Sequence, residues 1–210
     1  MQQKHFTILL FLFIFNGHAM AQRYVYQKIT LKRDGVSGSI GYLGGGIRYQ
    51  QFYQKTAFSA YADFGWNLTD KWVLGGSANV MISNIKLPFN PYEPVVLNQK
   101  WECRYALMKL SYVPYTYKLT HLVFGLGGGG AEVKAKIEDP YTYQFYNASY
   151  SYVALIEPFI EYELNVSKRF RPSIGFSYLK AVYQTNKSSF ISSNKISSPT
   201  IYLAARFGEF

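Results

Sequence analysis

Cysteine is nearly missing from this 210-residue chain: Cys103 stands alone, so no internal disulfide framework can be built. A free cysteine packs as a small apolar residue, and Cys103 reads as one within a strand. Histidine is almost as scarce. Of three, His5 and His18 fall in the first 21 residues, which leaves His121 for the rest. One histidine and one distant cysteine make no metal-ligand set, and no metal or cofactor is expected. Acidic residues are few, 12 against 22 Lys and Arg, for a formal charge of +10. The excess is spread over positions such as Lys55, Lys86, Lys100, Lys187 and Lys195 instead of forming a basic patch, so nucleic acid is not the expected partner. Long apolar runs are absent after Ile14, which argues against a membrane-spanning helix.

What the chain does have begins with an export signal. Lys4 and His5 precede an apolar run from Phe6 to Phe15, followed by the small-x-small pattern Ala19-Met20-Ala21. That run is about half of the ~20 residues a spanning helix needs. Residues 1–21 are therefore expected to be a cleaved secretory signal peptide, with cleavage near Ala21. The remainder suits one domain. Aromatic residues reach 19%, with 20 Tyr and 17 Gly, a composition suited to an apolar belt between two wet rims.

Apolar and polar residues alternate with period two along eight segments, as strands with one oily face require: 39–49, 56–67, 72–85, 101–115, 121–137, 150–164, 170–184 and 199–210. The second is the clearest, with Phe58, Ala60, Ala62, Phe64 and Trp66 on one face and Ser59, Tyr61, Asp63 and Gly65 on the other. In the third, Trp72, Leu74, Ala78, Val80 and Ile82 oppose Ser77, Asn79 and Ser83. In the sixth, Tyr150, Tyr152, Ala154, Ile156, Ile160, Tyr162 and Leu164 oppose Glu157, Glu161 and Glu163. The last puts Ile201, Leu203, Ala205 and Phe207 against Tyr202, Ala204, Arg206 and Gly208. The fourth segment alternates poorly near Lys109, which predicts a bulge there. The glycine run 127–130 is expected to host a second bulge, reconciling two halves of the fifth. Short connections at 51–55, 68–71, 117–120 and 167–169 alternate with longer ones at 86–99, 138–149 and 185–195.

The fold class expected is all-β, an eight-stranded antiparallel up-and-down transmembrane β-barrel over residues 38–210. It resembles the small eight-stranded outer-membrane family typified by outer-membrane proteins A and X. The resemblance rests on Ala19-Met20-Ala21, the alternating strands, the turns Asn67 to Lys71 and Asn165 to Arg169, and the terminal Phe210. It implies residence in a bacterial outer membrane and contact with outer-membrane lipid and lipopolysaccharide, to which the scattered lysines are suited. It also implies an assembly signal, Phe207 and Phe210, read by the barrel-assembly machinery. The peptidoglycan-binding module of larger members is not expected. Residues 22–37 contain the turn signal Asp34-Gly35, and 24–32 could form an extra strand. An odd strand count is avoided by single-chain bacterial barrels, so 22–37 are read as a periplasmic lead-in.

Eight strands enclose a space that side chains nearly fill. Asp63, Glu157, Glu161, Glu163 and Arg206 are expected inside, with Arg48, Glu102, Arg104, Glu132 and Lys134. Away from bulk water these charges must pair, giving a polar plug or, alternatively, a narrow solute path. Lipid A–modifying enzymes of similar barrels use a histidine and a serine. His121 lies beside a short turn with no serine near it, so it is read as an interfacial residue and the chain as no enzyme. Tyr141, Tyr143, Phe145 and Tyr146 are candidate loop contacts for a surface or periplasmic protein partner, although such aromatics also suit a headgroup girdle. The expected role is structural or surface-interacting. The alternatives are a narrow channel, or an accessory component of an envelope secretion or assembly machine, docking through 22–37.

Overall fold

The computed structural model describes residues 40–52, 55–83, 85–87, 99–116, 118–138, 142, 144–167, 169–185 and 196–208. The signal segment 1–21, the lead-in 22–37, Tyr141, Tyr143 and Phe210 lie outside the described residues. The strands are β1 (Ile40–Phe52), β2 (Lys55–Asn67), β3 (Trp72–Met81), β4 (Ile85–Leu87), β5 (Gln99–Tyr112), β6 (Thr120–Glu138), β7 (Phe145–Leu164), β8 (Phe170–Gln184) and β9 (Ser198–Gly208). Each pairs antiparallel with its sequence neighbour except where β4, three residues long, continues the line of β3 along β5. The first strand also pairs with the last, Tyr42 opposite Gly208 and Gln50 opposite Thr200, so the eight long strands close into a barrel.

Alternation explains which side each residue takes. Phe58, Phe64, Trp66, Trp72, Leu74, Val80, Ile160, Tyr162, Ile201, Leu203 and Phe207 are all exposed on the outer face, while Ser59, Asp63, Ser77, Asn79, Glu157, Glu161 and Arg206 are buried inside. So large an apolar exterior is what a hydrocarbon-facing belt requires, and closure leaves no unpaired edge within it. Tight turns tie off one end. At 68–71, Leu68 and Thr69 amides donate to the Trp72 carbonyl, and the Thr69 hydroxyl accepts from the Lys71 and Trp72 amides.

Three expectations need correction. Lys109 marks no bulge: β5 keeps its register with both neighbours, and Lys109 points inward in line with Tyr105, Leu107 and Ser111. The glycine run 127–130 is also paired without interruption on both sides. The irregularity of β6 with β7 falls between Ala135 and Lys136. Finally, Glu102, Arg104, Glu132 and Lys134 face outward, not inward, because Cys103, Ala131, Val133 and Ala135 occupy the inner positions. The cause is that β5, β6 and β7 overrun the apolar belt. Beyond it the outer face meets water and becomes charged, while the inner face closes on itself and becomes apolar. The 138–149 connection shortens for the same reason: Glu138 pairs with Phe145, so Phe145 and Tyr146 belong to β7.

Candidate functional site

The inner face of β2, β6, β7, β8 and β9 brings an arginine and three acids together near the tight-turn end. The Arg206 guanidinium donates from Nη2 to Asp63 Oδ2 at 2.9 Å and from Nη1 to Glu161 Oε2 at 2.5 Å, and also reaches Glu163. Tyr202 donates its hydroxyl to Glu161 Oε1 at 2.8 Å. His121 Nε2 lies 2.9 Å from Glu163 Oε2, with Arg171 Nη1 at 3.7 Å from the same oxygen. The Tyr42 ring covers the Arg206 guanidinium at 4.7 Å. Arginine suits the position because its planar fork serves several carboxylates at once.

A second tier lies higher. Arg48 donates to Glu157 Oε1 at 2.5 Å and to the Tyr105 hydroxyl oxygen at 3.1 Å, and Ser177 donates to the same Glu157 oxygen at 2.6 Å. The Tyr61 and Tyr202 rings lie 4.8 and 4.9 Å from the Arg48 guanidinium, one arginine shared between two aromatic faces. Lys109 stands between the tiers, its ammonium 5.2 Å from the Phe159 ring centre and 5.9 Å from that of Tyr61. Above, Phe52, Trp101, Cys103, Leu107, Val133, Leu155, Leu179 and Ile196 form an apolar cap.

The five interior residues singled out from the sequence, Asp63, Glu157, Glu161, Glu163 and Arg206, are all buried inside, four of them in one cluster and Glu157 in the second tier. Arg48 joins them. Lys109, read from the sequence as marking a bulge, and Arg171 are also interior, and the inward parity of their strand positions is the signal that places them there. His121 is corrected outright. It is buried against Glu163 and not at a lipid interface, because its strand position points it into the barrel. Among the described residues, four buried carboxylates thus share the interior with Arg48, Arg171, Arg206, His121 and Lys109, the last of which meets aromatic rings. Of the aromatic candidates, Phe145 is exposed at the start of β7, and Tyr146 is the next residue of that strand.

No protein-family model and no curated protein matches the sequence. Solved structures do. The attachment invasion locus protein Ail of Yersinia pestis, in complex with the heparin analogue sucrose octasulfate, matches with a TM-score of 0.53 at 11% identity, covering 82% of this chain and 99% of that one. Neisserial surface protein A matches with a TM-score of 0.51 at 13% identity, covering 83% and 99%. At such identities the likeness concerns architecture, and it agrees with strand order, closure and apolar exterior. The chain has the fold of the small eight-stranded outer-membrane β-barrels.

Proposed function

We infer that this chain is a small integral outer-membrane β-barrel without catalytic activity, whose interior is plugged and whose work is done by the end bearing the longer connections. The observation that carries this is the set of buried charges among the described residues, four acids against Arg48, Arg171, Arg206 and Lys109, under an apolar cap. A conducting path needs continuous mobile water, whereas here carboxylates are engaged by guanidinium groups and tyrosine rings lie between them. Residues 1–21 act as the export signal, 22–37 as a periplasmic lead-in, and Phe207 with Phe210 as the assembly signal. At the opposite rim, outer-membrane lipid and lipopolysaccharide are the immediate partners, and Tyr141, Tyr143, Phe145 and Tyr146 offer aromatic surface to a partner or to headgroups. Ail was solved with a sulfated sugar, and a polyanion of that kind would also suit a chain of net charge +10.

The test is electrophoresis of membrane fractions with and without boiling. A heat-dependent mobility shift confined to the outer-membrane fraction is expected. Protein recovered soluble, with no shift, would overturn the reading.

A further inference from the structure

One feature of the outer face is not explained by closure or by a uniform belt. Ala78, Ala106, Gly130 and Ala154 are successive cross-strand partners on β3, β5, β6 and β7, all facing outward, and they floor an open groove of about 640 Å³. Tyr152, Tyr183 and Val80 wall it. Backbone geometry does not demand glycine here. A Cβ on Gly130 would meet only the Val153 carbonyl oxygen at 3.7 Å, and one on Gly128, in the next outward row, would meet nothing within 4 Å. By contrast, a Cβ on the inward Gly129 would stand 2.0 Å from the Ala106 carbonyl oxygen. The outward glycines leave depth where most side chains would fit.

The position of the groove says what fills it. On the tight-turn side, Met108 and Leu110 of β5 and Leu126 and Phe124 of β6 continue the apolar belt. On the other side, two residues along each strand or roughly 7 Å away, Arg104 and Glu132 begin the charged surface. Lys134 pairs with Glu132 at 3.0 Å, and Lys136 and Lys100 share Glu102 at 2.8 and 3.7 Å. Four cations there face two carboxylates, and Arg104, at the groove's lip, forms no ion pair among the described residues. An apolar trough ending at a surface where cations outnumber carboxylates is complementary to a molecule with a hydrocarbon tail and an anionic head.

We propose that this groove seats an acyl chain of lipid A, a phosphorylated and multiply acylated glucosamine disaccharide, with a phosphate on Arg104 and the neighbouring lysines. The proposal rests on the outer-membrane reading above and gives its lipid partner a fixed address on β3, β5, β6 and β7. Guanidinium pairs with phosphate through two parallel hydrogen bonds, and the small floor residues let the chain lie against the barrel wall, gaining contact that a rough wall would deny it.

The probe is purified bisphosphoryl lipid A, titrated into the detergent-solubilised mature protein and counted by native mass spectrometry. Wild type should retain one lipid A at concentrations where phosphatidylethanolamine is lost. Filling the trough with Ala106→Leu and Gly130→Leu together should cut retention at least tenfold, about 1.4 kcal/mol. Arg104→Gln, on the surface and outside any packing, should weaken lipid A but leave phosphatidylethanolamine unchanged. Equal retention by the filled and wild-type proteins overturns the proposal, as does equal retention of the two lipids by wild type. A dimer that disappears on filling the groove overturns it too, making the trough a contact between copies. Each protein is also run boiled and unboiled. A normal heat shift with no lipid discrimination defeats this proposal alone, whereas loss of the shift in wild type defeats the reading beneath it.

Discussion

Arg206 is the residue whose removal should cost most for its size. Its guanidinium is buried and touches Asp63, Glu161 and Glu163. Arg206→Met keeps much of the hydrocarbon stem and deletes the charge. Glu163 retains His121 and Arg171, and Glu161 retains the Tyr202 hydroxyl, but Asp63 loses the cation that binds it. Breaking a buried ion pair from one side costs about 3–5 kcal/mol, because the charge left behind has given up water for nothing. Two affected carboxylates put the expectation in the upper part of that range. The assay is equilibrium urea unfolding of the barrel in lipid vesicles, followed by the boiled-versus-unboiled mobility difference. A second variant isolates the cause: adding Asp63→Asn and Glu161→Gln to Arg206→Met should recover most of the loss, since a neutral site no longer strands charge. A cost below about 1 kcal/mol for Arg206→Met, the worth of an exposed pair, would refute the reasoning. It would mean that water reaches the cluster and that the interior is a wet passage, and planar-bilayer recordings of the wild type should then show current steps instead of silence.

Gly46→Val should prevent closure, because a Cβ at Gly46 would lie 1.8 Å from the Leu203 carbonyl oxygen across the β1–β9 seam. Gly128→Val, at a position open to the outside, should assemble normally, and comparing the heat-shifted fraction of the two checks this. Tyr202→Phe removes a hydroxyl that donates to Glu161, and hydrogen bonds to charged groups are worth about 1.5–3 kcal/mol, so urea titration should show a loss in that range without loss of fold. Cys103 is buried in the apolar cap, so maleimide should label it stoichiometrically in denatured protein and negligibly in the folded barrel, as read by mass shift.

The parts of this barrel that could be read from the sequence are those where one face meets hydrocarbon. In β2, Phe58 to Trp66 must be apolar outside and Ser59 to Asp63 can be polar inside, so the period alone assigns both faces. Where β5 and β6 leave the belt the rule inverts, and Glu102, Arg104, Glu132 and Lys134 misled because charge was equated with the interior. Lys109 misled for the opposite reason. A lone lysine among apolar neighbours looks like a slip in register, when it is an inward residue whose ammonium meets aromatic faces instead of carboxylates. His121 lies beside a turn, but strand parity and not that nearness decides its side, and it faces Glu163 inside. Which acid meets which base was beyond any pattern. Arg206 and Asp63 are 143 residues apart and meet only because the ends of the chain are adjacent in the wall.

That adjacency has a consequence for how the molecule is made. Of the described strands β1 is the first in sequence and β9 the last, so this wall cannot close until β9 is available to pair with β1. A wall lacking β9 would have two unpaired margins, and Asp63 and Glu161 would lack the guanidinium of Arg206. Unpaired strand margins and unpaired acids are costly in hydrocarbon, so such a wall is poorly suited to the bilayer. Arrival of β9 removes both margins and discharges the acidic cluster in one event. Closure of the wall and pairing of Asp63 and Glu161 are thereby carried by one strand, and a variant lacking β9 is expected to lose the heat-dependent mobility shift.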